Sequence, residues 1–243
     1  MRIPRIHTPQ PLDGVTTVLL EPDTSSHLVN VLRLKRNSRC ILFNGDGNDY
    51  DCYLDVADKR AARLVIESSR RNLAESSLRI TLVQAIARGD RMDYLLQKSV
   101  ELGVRHLVPV FSKYTNVKLP ADRLPRKLAH WRKILISACE QSGRSRIPEL
   151  STPQPLQTAL QTLPDQASRL VLLPDAHHGM QSLKRNDSYI VLAGPEGGFS
   201  AAEADMIQQQ GFSALRLGPR ILRTETAAMA AVSALQGLFG DFR

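Results

Sequence analysis

"YIVLAGPEGGFSAAEADMIQQQG", Tyr189–Gly211, opens with a continuous apolar run, breaks on glycines and then turns polar. A short apolar run ending in a glycine turn reads as a strand buried on both faces. Ser200 and Glu203 have capping-box spacing, and Gly211 closes the segment. A buried strand that passes through a turn into a capped helix is half of a βαβ unit, so a parallel sheet is expected.

The same alternation extends on both sides. "LRITLVQAIA" (78–87) reads as a strand and "RMDYLLQKSVELG" (91–103) as a helix, with Met92, Leu95, Leu96 and Val100 on one face and Gly103 at its end. "HLVPVFS" (106–112) is a strand, and a long helix is expected over about 120–142. "RLVLLPD" (169–175) and "ALRLG" (214–218) are further strands, and "TAAMAAVSALQGLFG" (226–240) is the last helix.

The first seventy residues read differently. "TTVLLE" (16–21), "RCILFNG" (39–45), "DYDCYLDVA" (49–57) and "AARLVIES" (61–68) are short and partly alternating, as in a small β-barrel. "NGDGND" (44–49) is a turn between two of them. It is not a calcium loop, because Asp49 stands where the turn glycine belongs and no glutamate closes it. One helix, "PDTSSHLVNVLRLK" (22–35), runs into the basic residues Arg33, Lys35, Arg36 and Arg39. "SSRRNLAESS" (68–77) is polar without periodicity and reads as linker. The expected division is a barrel at 1–70, a linker at 71–77 and an α/β domain at 78–243.

With 42% hydrophobic residues the chain reads as an ordinary globular protein. Its apolar runs are too short to span a bilayer. "MRIPRIHTPQPL" (1–12) has no apolar secretory core, so a cytoplasmic protein is expected. Cys40, Cys52 and Cys139 lack metal-ligand spacing, and their odd number argues against a disulfide framework. The net charge of +8 is concentrated: residues 105–146 carry ten Lys/Arg against only Asp122 and Glu140. Such a positive field attracts a polyanion, nucleic acid above all, although a solvated helix face has the same composition.

Two loops follow buried strands. "GPEGG" (194–198) precedes a capped helix but has neither a Walker lysine nor the dinucleotide glycine spacing, so nucleotide phosphate is not its natural ligand. "LGPRILRTETAA" (217–228) packs Arg223, Thr224, Glu225 and Thr226 where a short turn would suffice. In open α/β sheets ligands bind outside the carboxyl ends of strands, so the two loops together suggest a pocket.

These motifs, with "QKSVELGV" (97–104), "CEQSGRSRIPEL" (139–150) and the opening "MRIPRI", resemble the bacterial ribosomal small-subunit uridine-N3 methyltransferases, the RsmE type of the SPOUT class. The resemblance covers nearly the whole chain. One departure is the pair Lys113 and Tyr114 after "PVFS", where the family pattern has an acidic-basic pair; no role is carried to that loop.

The resemblance implies a PUA-like β-barrel followed by an α/β domain with a parallel sheet and a deep trefoil knot. It implies S-adenosyl-L-methionine as cofactor, held by Leu172, Leu173 and Pro174, by Gly194, Pro195, Glu196, Gly197 and Gly198, and by Leu217, Gly218, Arg220, Ile221, Leu222, Thr224, Thr226 and Ala227. Arg223 is the expected catalytic guanidinium, with Glu225 orienting it or helping to remove the proton from the uracil nitrogen. His177 and His178 are expected to face solvent. The implied partners are 16S rRNA within the 30S subunit, at a uridine in the decoding region, and a second copy of the chain. The small residues Ala227, Ala230, Ala231, Ser233, Ala234 and Gly237 of the last helix suit close approach to that copy or to the protein's own sheet. Arg2, Arg5, Arg33, Lys35, Arg36, Arg144 and Arg146 are the expected RNA contacts. No metal is expected. A ribose 2′-oxygen methyltransferase of the same class and a noncatalytic RNA-binding assembly factor are the competing readings.

Overall fold

The computed structural model describes residues 3–242. It divides into two compact units, one of residues 1–75 with 136–147, the other of residues 76–135 with 148–243. The segment 136–147, which reads in sequence as part of the α/β domain, therefore groups with the N-terminal unit.

In the N-terminal unit, β1 (Arg5–His7), β2 (Thr17–Leu19), β3 (Arg39–Phe43), β4 (Asn48–Val56) and β5 (Arg63–Arg71) form one sheet in the order β1-β3-β4-β5-β2. β1 pairs parallel to β3, and the other pairings are antiparallel. Among the described residues no ladder closes β1 onto β2, so by pairing this is an open sheet rather than a complete barrel. The Gln10 amide nevertheless donates to Leu19 O across that gap at 2.8 Å. Ile6, Leu28, Leu42, Leu54 and Leu64 fill the core. Cys40 and Cys52 face each other across β3 and β4 as free, buried thiols; burial pushes Cys52 up to about 12.

Two expectations for this unit change. α1 spans only Pro22–Ser26, followed by a π-helical turn at His27–Val31, and the chain leaves the helix at Arg33, whose φ is 55°. The segment read as linker begins as strand: β5 continues through Ser68–Arg71, opposite Asn48–Asp51 of β4.

The second unit carries β6 (Arg79–Ala85), α2 (Asp90–Glu101), β7 (His106–Phe111), the first part of α3 (Leu124–Ser142), β8 (Glu149–Leu150) and β9 (Gln154–Pro155). It continues through α4 (Leu156–Gln161), β10 (Ser168–Leu172), β11 (Ser188–Ala193), α5 (Ala201–Gln209), β12 (Ser213–Leu215) and α6 (Thr224–Phe239). The sheet order is β12-β10-β11-β6-β7-β8, with β9 beside β7, and every pairing is parallel. Its central strands are covered on both faces, which is why they read as unbroken apolar runs. One face buries Val83, Val108, Leu160, Val171, Ile190 and Leu192. α6 packs on β6, β11 and α2, burying Ala228, Ala231, Val232 and Leu235.

Because the strands are parallel, β10, β11 and β12 release their loops at the same end of the sheet.

Candidate active site

Three strand-end loops wall a cleft of about 330 Å³. β10 supplies Leu172, Leu173 and Pro174. β11 supplies Ala193, Gly194, Pro195, Glu196, Gly198 and Phe199. β12 and the segment after it supply Leu215, Leu217, Gly218, Arg220, Ile221, Leu222, Arg223, Thr224 and Ala227. The volume falls in the range of small-ligand sites. Of the residues expected around a cofactor, Gly197 and Thr226 are not on its wall. Ala193, Phe199 and Leu215 are on it and escaped the sequence reading; the apolar runs that contain the two strand residues mark core, not lining.

Two of these loops are fastened by one hydroxyl. Thr224, the first residue of α6, donates from Oγ1 to Gly194 O at 2.6 Å and accepts from Gln84 Nε2 at 2.8 Å. Thr224 and Gln84 are both buried. β6, the glycine loop and the start of α6 are thus held at one point.

The glycine loop has its own packing reasons. A Cβ on Gly194 would lie 2.9 Å from the Phe199 ring, and one on Gly197 would lie 3.0 Å from Tyr114 Cβ. Tyr114, half of the departure from the family pattern, therefore packs on the glycine turn. Gly198 has φ 70° and Gly218 has φ 77°, the left-handed region that favours glycine. Below the loop, Glu203 accepts from the Ser200 backbone and hydroxyl at 2.9 and 2.8 Å and from Lys113 N at 2.7 Å. Burial pushes its carboxyl up, but these hydrogen bonds outweigh that and hold it below the ordinary value.

Arg223 is exposed at the cleft and stands at the N-cap position of α6. Glu225 is buried and does not pair with it. Glu225 Oε1 instead lies 3.9 Å from Arg91 Nε of α2, and Oε2 has no partner among the described residues. Arg91 Nη1 donates to Glu196 Oε1 at 2.8 Å. A second, polar recess of about 590 Å³ opens here, lined by Ile86, Arg88, Asp90, Arg91, Asn116, Val117 and Glu196. Glu196 belongs to both cavities. The His177 and His178 side chains are exposed, and neither lines the cleft or the recess.

The expected RNA contacts separate into two kinds. Arg33, Lys35, Arg36 and Arg146 are exposed. Arg36 makes only a loose pair with Asp55 at 3.5 Å, and Arg146 lies against Gly47. Arg5 and Arg144 are corrected: both side chains are buried and structural. Arg5 donates to both Asp49 oxygens at 3.0 and 2.8 Å and to Ser145 Oγ at 2.7 Å. Arg144 binds Glu75 in a fork, at 2.9 and 2.8 Å, with its side chain 3% exposed. Ser145 Oγ and Asn72 Nδ2 also donate to Asp49. Much of the motif "GRS" (143–145) therefore builds the N-terminal unit instead of touching phosphate. Arg2 lies outside the described residues.

Among the described residues no group of three or more His, Cys, Asp or Glu could hold a metal ion, and no helix is long and apolar enough to cross a membrane.

Residues 74–236 match the model of an RNA methyltransferase domain, and residues 20–67 that of an RNA methyltransferase PUA domain. The Ribosomal RNA small subunit methyltransferase E of Buchnera aphidicola subsp. Schizaphis graminum is 36% identical over 242 residues, covering 99% of this chain and 98% of its own length. The Bacillus subtilis protein of the same name is 30% identical, with 94% and 93% covered. A crystal structure of Ribosomal RNA small subunit methyltransferase E from Neisseria gonorrhoeae, bound to S-adenosyl methionine, is 39% identical; the match covers 100% of both chains with a TM-score of 0.93. The chain belongs to the RNA methyltransferase family, among the ribosomal RNA small subunit methyltransferases E.

Proposed function

We propose that this chain transfers a methyl group from S-adenosylmethionine to N3 of a uridine in the decoding region of 16S rRNA, acting on the assembled 30S subunit as a cytoplasmic homodimer. The observation that carries the reading is the cleft itself, walled by three strand-end loops of one parallel sheet, two of which Thr224 ties together. The full-length likeness to a relative bound to S-adenosyl methionine points the same way.

The residues fit that cofactor. Leu172, Leu217 and Leu222 offer aliphatic walls for a flat ring, while the glycine turns bring backbone donors and acceptors to the cleft. When bound, the cofactor supplies the methyl group on a sulfonium. The protein's own task is at the acceptor. A uracil N3 is a poor nucleophile until its proton leaves, and charge then spreads onto the flanking carbonyl oxygens. Arg223, exposed at the cleft, is the guanidinium assigned to that charge. Glu225 is assigned to orienting a guanidinium or to helping take the N3 proton, the guanidinium it faces being Arg91 and not Arg223. A deep trefoil knot built from these loops is part of the same proposal.

RNA is held through phosphate by Arg33, Lys35, Arg36 and Arg146, which supply affinity rather than base choice. The test is to incubate the protein with labelled S-adenosylmethionine and small ribosomal subunits lacking the modification, digest the RNA and identify the nucleoside. N3-methyluridine is expected; a 2′-O-methylated nucleoside would contradict the assigned chemistry.

A further inference from the structure

The cofactor cleft does not account for the polar recess beside it. Val117 gives that recess apolar surface beside a nearly buried Ile86, Arg88, Arg91 and Asn116 give it donors, Asp90 and Glu196 give it carboxylate acceptors, and Glu196 joins it to the cleft. A uracil ring has a matching character. It has apolar faces, and one edge carries a carbonyl, an N–H and a second carbonyl. Two sets of donors flanking an acceptor recognise that edge. Cytosine reverses the pattern at two of its three positions, leaving a buried donor or acceptor unmatched.

Arg91 is the best-placed donor. Its Nη1 is on Glu196, its Nε faces buried Glu225 at 3.9 Å, and its Nη2 has no hydrogen bond among the described residues. The side chain is 43% exposed, so it is accessible from the recess. Glu225 lies behind it with one carboxylate oxygen buried and without a partner among the described residues. A buried carboxylate oxygen left in this way is costly unless it does something. The other oxygen, Oε1, faces Arg91 Nε at 3.9 Å, so the carboxylate backs that guanidinium from the buried side.

We infer that this recess receives the uracil ring of the RNA substrate, with Arg91 facing its carbonyl edge and Glu225 acting through Arg91 as a positioning residue. The inference rests on the methyltransferase reading and deepens it. The base enters beside Glu196, so its N3 meets the cleft from the recess side, and Arg91 joins Arg223 in stabilising charge on the two carbonyl oxygens.

Two measurements test this. Cofactor-saturated protein is titrated with oligouridylate and with oligocytidylate while NMR follows the Arg88, Arg91 and Asn116 side chains. Oligouridylate is expected to perturb these signals and to bind at least ~10-fold tighter than oligocytidylate. Equal binding, or perturbation confined to other surfaces, would overturn the inference. In parallel, Arg91→Ala and Arg91→Lys are assayed for methyl transfer to small subunits and for cofactor affinity by calorimetry. Turnover is expected to fall ~100-fold in the alanine variant, less in the lysine variant, with cofactor affinity unchanged in both. Glu225→Gln is expected to lower turnover by ~10-fold only while Arg91 is present. Wild-type turnover in Arg91→Ala would overturn the inference. Absence of methyl transfer by the unmutated protein would instead defeat the methyltransferase reading, and the titration would still test the recess.

Discussion

The hydroxyl of Thr224 donates to the carbonyl of Gly194 at 2.6 Å, so the first residue of the last helix is tied to the first glycine of a loop thirty residues earlier. Gln84 completes the arrangement by donating to the same hydroxyl at 2.8 Å. Thr224→Val keeps the shape but removes donor and acceptor together, leaving the Gly194 carbonyl and the Gln84 amide to find other partners. The expected cost is ~1–3 kcal/mol of stability. S-adenosylmethionine affinity is expected to fall with it, and Thr224→Ser to restore most of both. Thermal melting and calorimetry check this.

Arg223 has the opposite profile. It is exposed and has no ion pair among the described residues, so Arg223→Ala should change stability by less than ~0.5 kcal/mol. Methyl transfer should fall by ~100-fold or more while cofactor still binds. Single-turnover assays beside a binding isotherm separate the two. Full turnover in this variant would remove Arg223 from the chemistry.

Gly194→Ala probes the wall of the cleft. The added methyl meets the Phe199 ring at 2.9 Å, and that ring must move. Phe199 itself lines the cleft, so the displacement alters the site. Cofactor affinity is expected to weaken by ~10-fold, with a stability change of ~1–3 kcal/mol. Phe199→Leu, which makes room, should relieve part of the loss in the double variant.

The Arg5–Asp49 pair sets the acid stability of the N-terminal unit. Burial pushes the Asp49 carboxyl up, but hydrogen bonds from Arg5, Ser145 and Asn72 and the Arg5 charge outweigh it, and the group titrates below its ordinary 3.8. A depressed folded-state value means stability present above the unfolded value and lost as pH falls through the folded one. Asp49→Asn leaves Arg5 buried without its counter-charge and should cost ~3–5 kcal/mol. Urea unfolding followed between about pH 3 and 7 should show the acid-side loss in the natural protein and a flatter profile in the variant.

Exposed and buried arginines should respond differently to salt. Replacing Arg33, Lys35, Arg36 and Arg146 with alanine should weaken RNA binding and reduce its log-log salt slope by roughly 0.7–0.9 for each phosphate that is no longer neutralised. Arg144→Ala should act through the fold, because its guanidinium is held by Glu75. An unchanged slope in the fourfold variant would remove these residues from the RNA surface.

The parallel sheet was readable because its central strands are apolar on both faces, and the glycine loops because no other residue suits their turns and close approaches. The failures have equally local causes. Ser68–Arg71 lacks alternation because that end of β5 is exposed, yet its backbone pairs with β4. The helix after Pro22 passes at His27 into a π-helical turn and ends short of Arg33, whose positive φ no composition signals. Arg5 and Arg144 look like surface charge in a basic sequence. Their counter-ions, Asp49 and Glu75, lie 44 and 69 residues away along the chain, so only the fold reveals the pairing. The partnership of Glu225 with Arg91 instead of its neighbour Arg223 was hidden for the same reason.

The most direct measurement is methyl transfer to small ribosomal subunits lacking the modification, with the product mapped by primer extension and Arg223→Ala run beside the unmutated protein. Label in the RNA, with a new stop one residue before a single decoding-region uridine and no stop from Arg223→Ala, is the predicted result. Bound cofactor without label, or label at a position that leaves primer extension unblocked, would contradict N3 methylation of that uridine by this site.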